Sequence, residues 1–336
     1  MVKPKIWHLI GDKRAGGSNL LVERLSQSAL KEDFDFLTLR LEAISAARRR
    51  EKPDLIVFHY PCAWRYLWRL LVLKLQVPVY ICDHHYCQGF EKEQVKSPWR
   101  FRLLLRLAYG LAQGVIAVSS AQKEWMVNAR LVNSAKVTVI LPASPLDSFL
   151  ALAPKAPGET LILGAYGRFA PQKGFSQFLQ RVPQILTPQV RLKLGGYGQD
   201  EAEIQALAAA LPQVELVGAV GDVSEFLSQC DAVVIPSRWE PFGLVCLEAK
   251  ASGRAVLVAE VDGLTEQVRD CGLALPLDDV PAWKQAIESL TPQTLKQWGE
   301  NGRRSAEGAW QTCLRDWGHF FREKTQGGGG EKLADG

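Results

Sequence analysis

Two glutamates stand eight positions apart in "SRWEPFGLVCLEAK" (residues 237–250), a stretch that otherwise reads as buried. Ionised carboxylates are costly to bury without partners, and nothing in these residues neutralises both Glu240 and Glu248. A ligand is the expected partner. The preceding "DAVVIPS" (231–237) is a β-branched apolar run suited to a strand buried on both faces. From Gly243 onward, Leu244, Leu247 and Ala251 recur at helical spacing, and Gly253 stands where a helix C-terminus is expected. Glu248 then falls just over one turn into a helix, and Glu240 in the loop before it. The amides of Phe242, Gly243 and Leu244 become the unpaired donors of the helix N-terminus, a site for an anion such as phosphate. Two carboxylates flanking an anion hole suit a ligand rich in hydroxyls and phosphate, as a nucleotide sugar is.

Other residues offer related chemistry. Arg168 and Lys173, in "YGRFAPQKG", present a planar fork and a point charge five residues apart after the apolar run "LILGAYG". Gly174 lets the backbone turn closely there. Taken alone, the pair fits a pyrophosphate clamp or an exposed loop with two cations. Gly16 and Gly17 follow the first apolar run, so backbone can approach a ligand unobstructed there, although any turn uses such a pair. "CDHHYC" (82–87) crowds Cys82, Asp83, His84, His85 and Cys87 together. Alternation of faces along a strand and a spacing foreign to zinc sites argue against a metal centre, and none is expected.

The elements that hold these residues repeat along the chain. "KIWHLIG", "DFLTLRL", "DLIVFHY", "VPVYICD" and "GVIAVS" read as five strands separated by helical segments. After the Pro-rich passage 141–159, "TLILGAYGR", "VRLKLGGYG", "VELVGAV", "DAVVIPS" and "RAVLVAE" repeat the pattern. Strands alternating with helices imply parallel, doubly wound α/β sheets with ligands at the carboxyl ends of the strands. The expected division is residues 1–145 and 146–307, with a C-terminal helix near 308–325 that crosses back to the first domain. Residues 326–336, rich in glycine, read as a disordered tail.

A length of 336 residues accommodates two domains of ordinary size. No window approaches eighteen uninterrupted apolar residues, and the start of the chain lacks the pattern of a signal peptide, so a cytoplasmic protein is expected. Seven cysteines, without a CxxC pair, argue against a disulfide framework. Charge is uneven: residues 1–150 carry 22 Lys and Arg against 13 Asp and Glu, and the remainder 18 against 23. The basic excess concentrates in "WRYLWRLLVLKL" (64–75) and "SPWRFRLLLRLAYG" (97–110). Each segment reads either as an amphipathic helix on an anionic membrane surface or as a packing helix with a solvated basic edge.

"EPFGLVCLE" follows "VVIPS" and precedes "AKASGRAVLVAEVDGLTEQV", and "YGRFAPQKG", "LGGYG", "VELVGAV" and an N-terminal "GG" come before it. In that order the motifs resemble the retaining glycosyltransferases of the GT-B fold, family four (group 1), with their E-x7-E signature. The resemblance implies two Rossmann-like domains facing a central cleft, the N-terminal one on the acceptor side and the C-terminal one binding a nucleotide sugar. It implies a metal-independent hexosyltransferase moving sugar from a nucleoside-diphosphate donor to a glycan or lipid-linked hydroxyl, with no cofactor. Arg168, Lys173 and the amides of Phe242, Gly243 and Leu244 would hold the diphosphate, with Gly16 and Gly17 nearby. Glu248 would take the ribose, and Glu240 and His84 the sugar; His85 stands where the family has an aspartate. "LPASPLD" replaces the usual Asn-Gly turn of the linker.

Cell-surface polysaccharide or lipopolysaccharide synthesis is the expected setting, at the inner face of a membrane, with no nucleic-acid partner. A nucleotide-sugar 2-epimerase and a non-catalytic nucleotide- or glycan-binding scaffold protein are the alternatives. A nicotinamide dehydrogenase is disfavoured, because "GDKRAGG" does not supply GxGxxG.

Overall fold

The computed structural model describes residues 2–11, 17–155 and 158–326. It divides into two compact units. One comprises residues up to Tyr86, Gln94–Ser144 and the chain from Trp310; the other comprises Cys87–Glu93 and Pro145–Ala309.

The first unit carries strands β1 (Lys5–Leu9), β2 (Asp35–Leu39), β3 (Leu55–Phe58), β4 (Val79–Asp83), β5 (Gly114–Ala117) and β6 (Val137–Val139). They form one parallel sheet in the order β2-β1-β3-β4-β5-β6. Period-two alternation sends Trp7, Leu9, Ile56, Phe58 and Ile81 to one face, packed with Leu105 and Tyr109 of the helix Pro98–Leu111. The other face meets the C-terminal helix Ala309–Gln326, whose Trp317 and Phe321 pack on His8, Phe34 and Phe36. β6 was not among the expected strands: with three residues it lies at the sheet edge and is too short to show a period.

The second unit carries β7 (Leu161–Phe169), β8 (Val190–Gly198), β9 (Val214–Gly218), β10 (Ala232–Ile235), β11 (Ala255–Ala259) and β12 (Gly272–Leu275). The parallel order is β12-β11-β10-β7-β8-β9. Its two faces carry separate apolar layers. Leu163, Leu192, Val234 and Leu257 pack with Phe178 and Trp283; Tyr166, Val233, Ile235, Val256 and Val258 pack with Leu227, Cys246 and Ala249. β12 was also unanticipated, since "GLAL" is short and begins with glycine. The C-terminal helix expected near 308–325 is Ala309–Gln326, set off from the helix Pro292–Ala306 at Gly308 with φ +72°. All seven cysteines are buried free thiols. Among the described residues, no helix is long and apolar enough to cross a membrane.

Candidate active site

In the second unit, the residues singled out from sequence gather at the carboxyl ends of β7 and β10. Arg168 is the penultimate residue of β7, and its exposed side chain makes no hydrogen bond among the described residues. Lys173 closes the short 3-10 turn Pro171–Lys173 that follows. The next residue, Gly174, has φ +68°, and a Cβ there would lie 2.0 Å from the Pro236 carbonyl oxygen. Only glycine lets this turn seat against the loop after β10. The two loops are also tied by the Arg238 amide donating to the Gln172 carbonyl at 2.8 Å and Gln172 Nε2 donating to the Trp239 carbonyl at 3.2 Å.

This seating brings Lys173 Nζ onto Glu240 Oε2 as a partly buried ion pair, with the Ser237 hydroxyl 3.3 Å from the same oxygen. Glu248 lies on the helix Leu244–Ala251, where its Oε2 accepts a 2.6 Å hydrogen bond from the buried Tyr166 hydroxyl of β7. A ligand was the expected partner of the two carboxylates, and the structure adds partners from within the chain. The chain itself supplies a cation for one and a hydroxyl for the other, from segments about 70 to 80 positions away in sequence. Burial, followed by the charge of Glu248, pushes the Tyr166 phenol well above its usual range, so it remains a donor.

Phe242 and Gly243 are buried, and Leu244 opens the helix. Gly243 has φ +95°, and a Cβ there would stand 2.5 Å from Leu264 Cδ2. Gln267 Nε2 donates to the carbonyls of Phe242 and Gly243 at 2.6 and 3.3 Å, which turns the loop's acceptors inward and leaves amides at the helix mouth.

Asp262, in the chain after β11, was not anticipated as a site residue. It adopts φ +40°. Its carboxylate accepts from the Glu240 amide at 3.1 Å, the Gly89 amide at 2.9 Å and the Cys87 thiol at 3.0 Å. Aspartate is among the residues that tolerate a left-handed conformation, but a lone Asp-Gly step in sequence signals only a turn.

In the first unit, His84 follows β4 directly. Asp83 shapes that exit, accepting from the His85 and Tyr86 amides at 2.8 and 3.0 Å and from the Tyr109 hydroxyl at 2.5 Å. His84 Nε2 lies 2.8 Å from His59 Nδ1, and His59 Nε2 lies 2.9 Å from His8 Nδ1. Desolvation holds His8 and His84 down to about 3 and lowers His59 as well, so all three rings are neutral near pH 7. His84 rather than His85 joins this array. Sequence reading did not anticipate His8 and His59, because register between strands 51 positions apart brings them together. Gly17 opens the helix Gly17–Gln27 after β1 and is exposed. Gly16 lies outside the described residues.

The loops and helix mouths at the strand ends suit phosphate and hydroxyl recognition, and comparison with known proteins gives the same direction. A family model described as "Glycosyltransferase Family 4" matches residues 17–147, and one described as "Glycosyl transferases group 1" matches residues 160–292. A sucrose-phosphate synthase from Thermosynechococcus elongatus superposes with a TM-score of 0.83 at 21% identity, covering 97% of this chain and all of that one. The chain has the GT-B glycosyltransferase fold.

A second structure with this fold is Anabaena Alr3699/HepE in complex with UDP-glucose, with a TM-score of 0.73 at 18% identity, covering 95% of this chain and 99% of that one. In sequence, the D-inositol 3-phosphate glycosyltransferase of Stackebrandtia nassauensis is 30% identical over 234 residues, 62% of this chain and 52% of that protein. The chain thus spans about half of that relative's length.

Proposed function

We propose that the protein is a retaining glycosyltransferase, moving a sugar from a nucleoside-diphosphate donor to a hydroxyl of a glycan or lipid-linked acceptor in cell-surface polysaccharide or lipopolysaccharide synthesis. The observation that carries this reading is the Lys173–Glu240 pair at the mouth of the helix Leu244–Ala251, with Glu248 one turn in. A diphosphate at this mouth would engage the amides of Phe242, Gly243 and Leu244 together with Arg168 and Lys173. These are fixed donors aimed at charge that grows as the donor bond breaks. Two cations and a helix N-terminus supply that stabilisation without a divalent ion at the diphosphate.

Glu248, oriented by Tyr166, takes the ribose hydroxyls. Lys173 moving toward the phosphate frees one Glu240 oxygen for the sugar. His84 is assigned to the sugar from its motif position. Retention follows from a same-face displacement in which the departing diphosphate helps to deprotonate the acceptor.

The exposed surface of the first unit supports an acceptor at a membrane. The helices Trp64–Lys74 and Pro98–Leu111 contain no acidic residue, and they expose Trp64, Trp68 and Trp99 beside Arg65, Arg69, Arg100 and Arg106. Tryptophan and arginine side by side match the headgroup level of an anionic bilayer.

The test is a thermal-shift panel of UDP, GDP, ADP and their sugars in the presence of a chelator, with UDP-glucose first because the Anabaena protein is described in complex with it. One nucleotide should raise Tm undiminished by chelation. Turnover of that donor without acceptor would instead favour the epimerase, and no shift with any nucleotide would remove the donor site.

A further inference from the structure

We propose that His59, Cys82 and His84 form a binding site for a single zinc ion in the first unit, a site that goes beyond the glycosyl-transfer reading, shares His84 alone with it, and uses none of the donor groups of the second unit. One ring nitrogen each of His59 and His84 and the Cys82 Sγ all lie within 4.8 Å of one another, and His59 Nδ1 lies 2.8 Å from His84 Nε2. β3 and β4 pair in parallel as far as Phe58↔Ile81, so His59 and Cys82 stand one step beyond that pair, and alternation along β4 returns His84 to the face of Cys82. Three donors from two adjacent strand ends thus converge where the sequence by itself offered only an unsuitable local cluster.

The surroundings favour ligation over the other use of a histidine array, proton transfer. A relay needs two open ends, yet His8 Nε2 is buried and, among the described residues, has no hydrogen-bond partner; it lies among the rings of Phe36, Trp317 and Phe321. The array therefore ends blind at His8. What His8 does supply is an acceptor for the outer ring nitrogen of His59, at 2.9 Å. Metal-bound histidines are commonly oriented by such a contact.

His59 would bind through Nδ1 with its proton on Nε2, donated to His8 Nδ1. His84 would bind through Nε2 with its proton on Nδ1. Cys82 would bind as thiolate, releasing one proton to solvent for each ion taken up. Two imidazoles and one thiolate suit Zn²⁺, which takes these ligands tetrahedrally and leaves a fourth position for water or a hydroxyl. Calcium and magnesium, which require oxygen ligands, are excluded by the donor set.

The test is anaerobic titration of the full-length, metal-stripped protein with Co²⁺, a spectroscopic substitute for Zn²⁺. A thiolate-to-cobalt charge-transfer band should appear, saturate at one equivalent and disappear on adding Zn²⁺. The band should be lost in Cys82→Ser and retained in Cys87→Ser and Cys313→Ser. His8→Phe should weaken cobalt binding by about 10- to 100-fold without removing the band. Absence of a saturable band in the wild-type protein overturns the site, whether or not the Cys82 variant folds. A band that survives in folded Cys82→Ser assigns cobalt elsewhere and overturns it equally.

Discussion

At the scale of single residues, the candidate site turns on how two carboxylates are partnered in a largely apolar setting. Glu240 relies on Lys173, and removal of one partner of a buried pair typically costs about 3–5 kcal/mol because the other is left uncompensated. Lys173→Met should therefore lower Tm and, by removing a cation aimed at the diphosphate, reduce kcat by about 10²- to 10³-fold. The paired variant Lys173→Met/Glu240→Gln should recover much of the Tm but not the turnover, a separation readable by melting curves and steady-state kinetics. If the double variant regains kcat as well, Lys173 serves only to neutralise Glu240. Glu248 presents a different case. Hydrogen bonds to a charged group contribute about 1.5–3 kcal/mol, so Glu248→Ala should raise the nucleotide Kd about 10- to 100-fold by calorimetry. Tyr166→Phe, which leaves the carboxylate in place without this hydrogen bond, should raise it by less.

At the scale of elements, Asp262 ties two other pieces of chain to its own: the loop holding Glu240, and the segment that carries the Cys87 thiol and the Gly89 amide. Asp262→Ala removes all three acceptor contacts and keeps a Cβ at φ +40°. A stability loss of about 2–4 kcal/mol is expected, at charge-assisted hydrogen-bond strength, together with a higher donor KM as the Glu240 loop loosens. Denaturant melts and kinetics on this variant would read both. A fall in stability with unchanged KM would make Asp262 a purely structural anchor.

Residues of this kind mark where legibility in sequence ended. The strand "DAVVIPS", the helix after Gly243 and its end at Gly253 were readable because burial, periodicity and glycine leave local traces. Tyr166, Asp262, Gln267, His8 and His59 act through register and loop seating across 22 to 175 positions of sequence, and no local pattern encodes that. The same reason hid β6 and β12. They are short strands whose identity comes from the neighbour they pair with.

At the scale of the whole molecule, the basic excess of residues 1–150 becomes a surface rather than a composition. Trp68 and Trp99 are 71% and 69% exposed, and Arg106 and Leu107 line a groove with Leu67, Trp68 and Leu71 that joins the two basic helices. Large indoles held in water cost free energy that a membrane interface recovers, while each Lys or Arg near an anionic surface adds about 1 kcal/mol. The two contributions separate by experiment. Vesicles containing phosphatidylserine should sediment the protein at low salt, and the bound fraction should fall as the Debye length shrinks from about 30 Å at 0.01 M to about 8 Å at 0.15 M salt. Trp68→Ser/Trp99→Ser should weaken binding at every salt concentration. Arg65→Gln/Arg69→Gln/Arg100→Gln should instead flatten the salt dependence, and neither set touches the donor groups, so turnover of a soluble acceptor should stay near wild type. Equal binding to neutral and anionic vesicles would leave only the apolar contribution. No binding at low salt would make both helices ordinary packing elements with solvated basic edges.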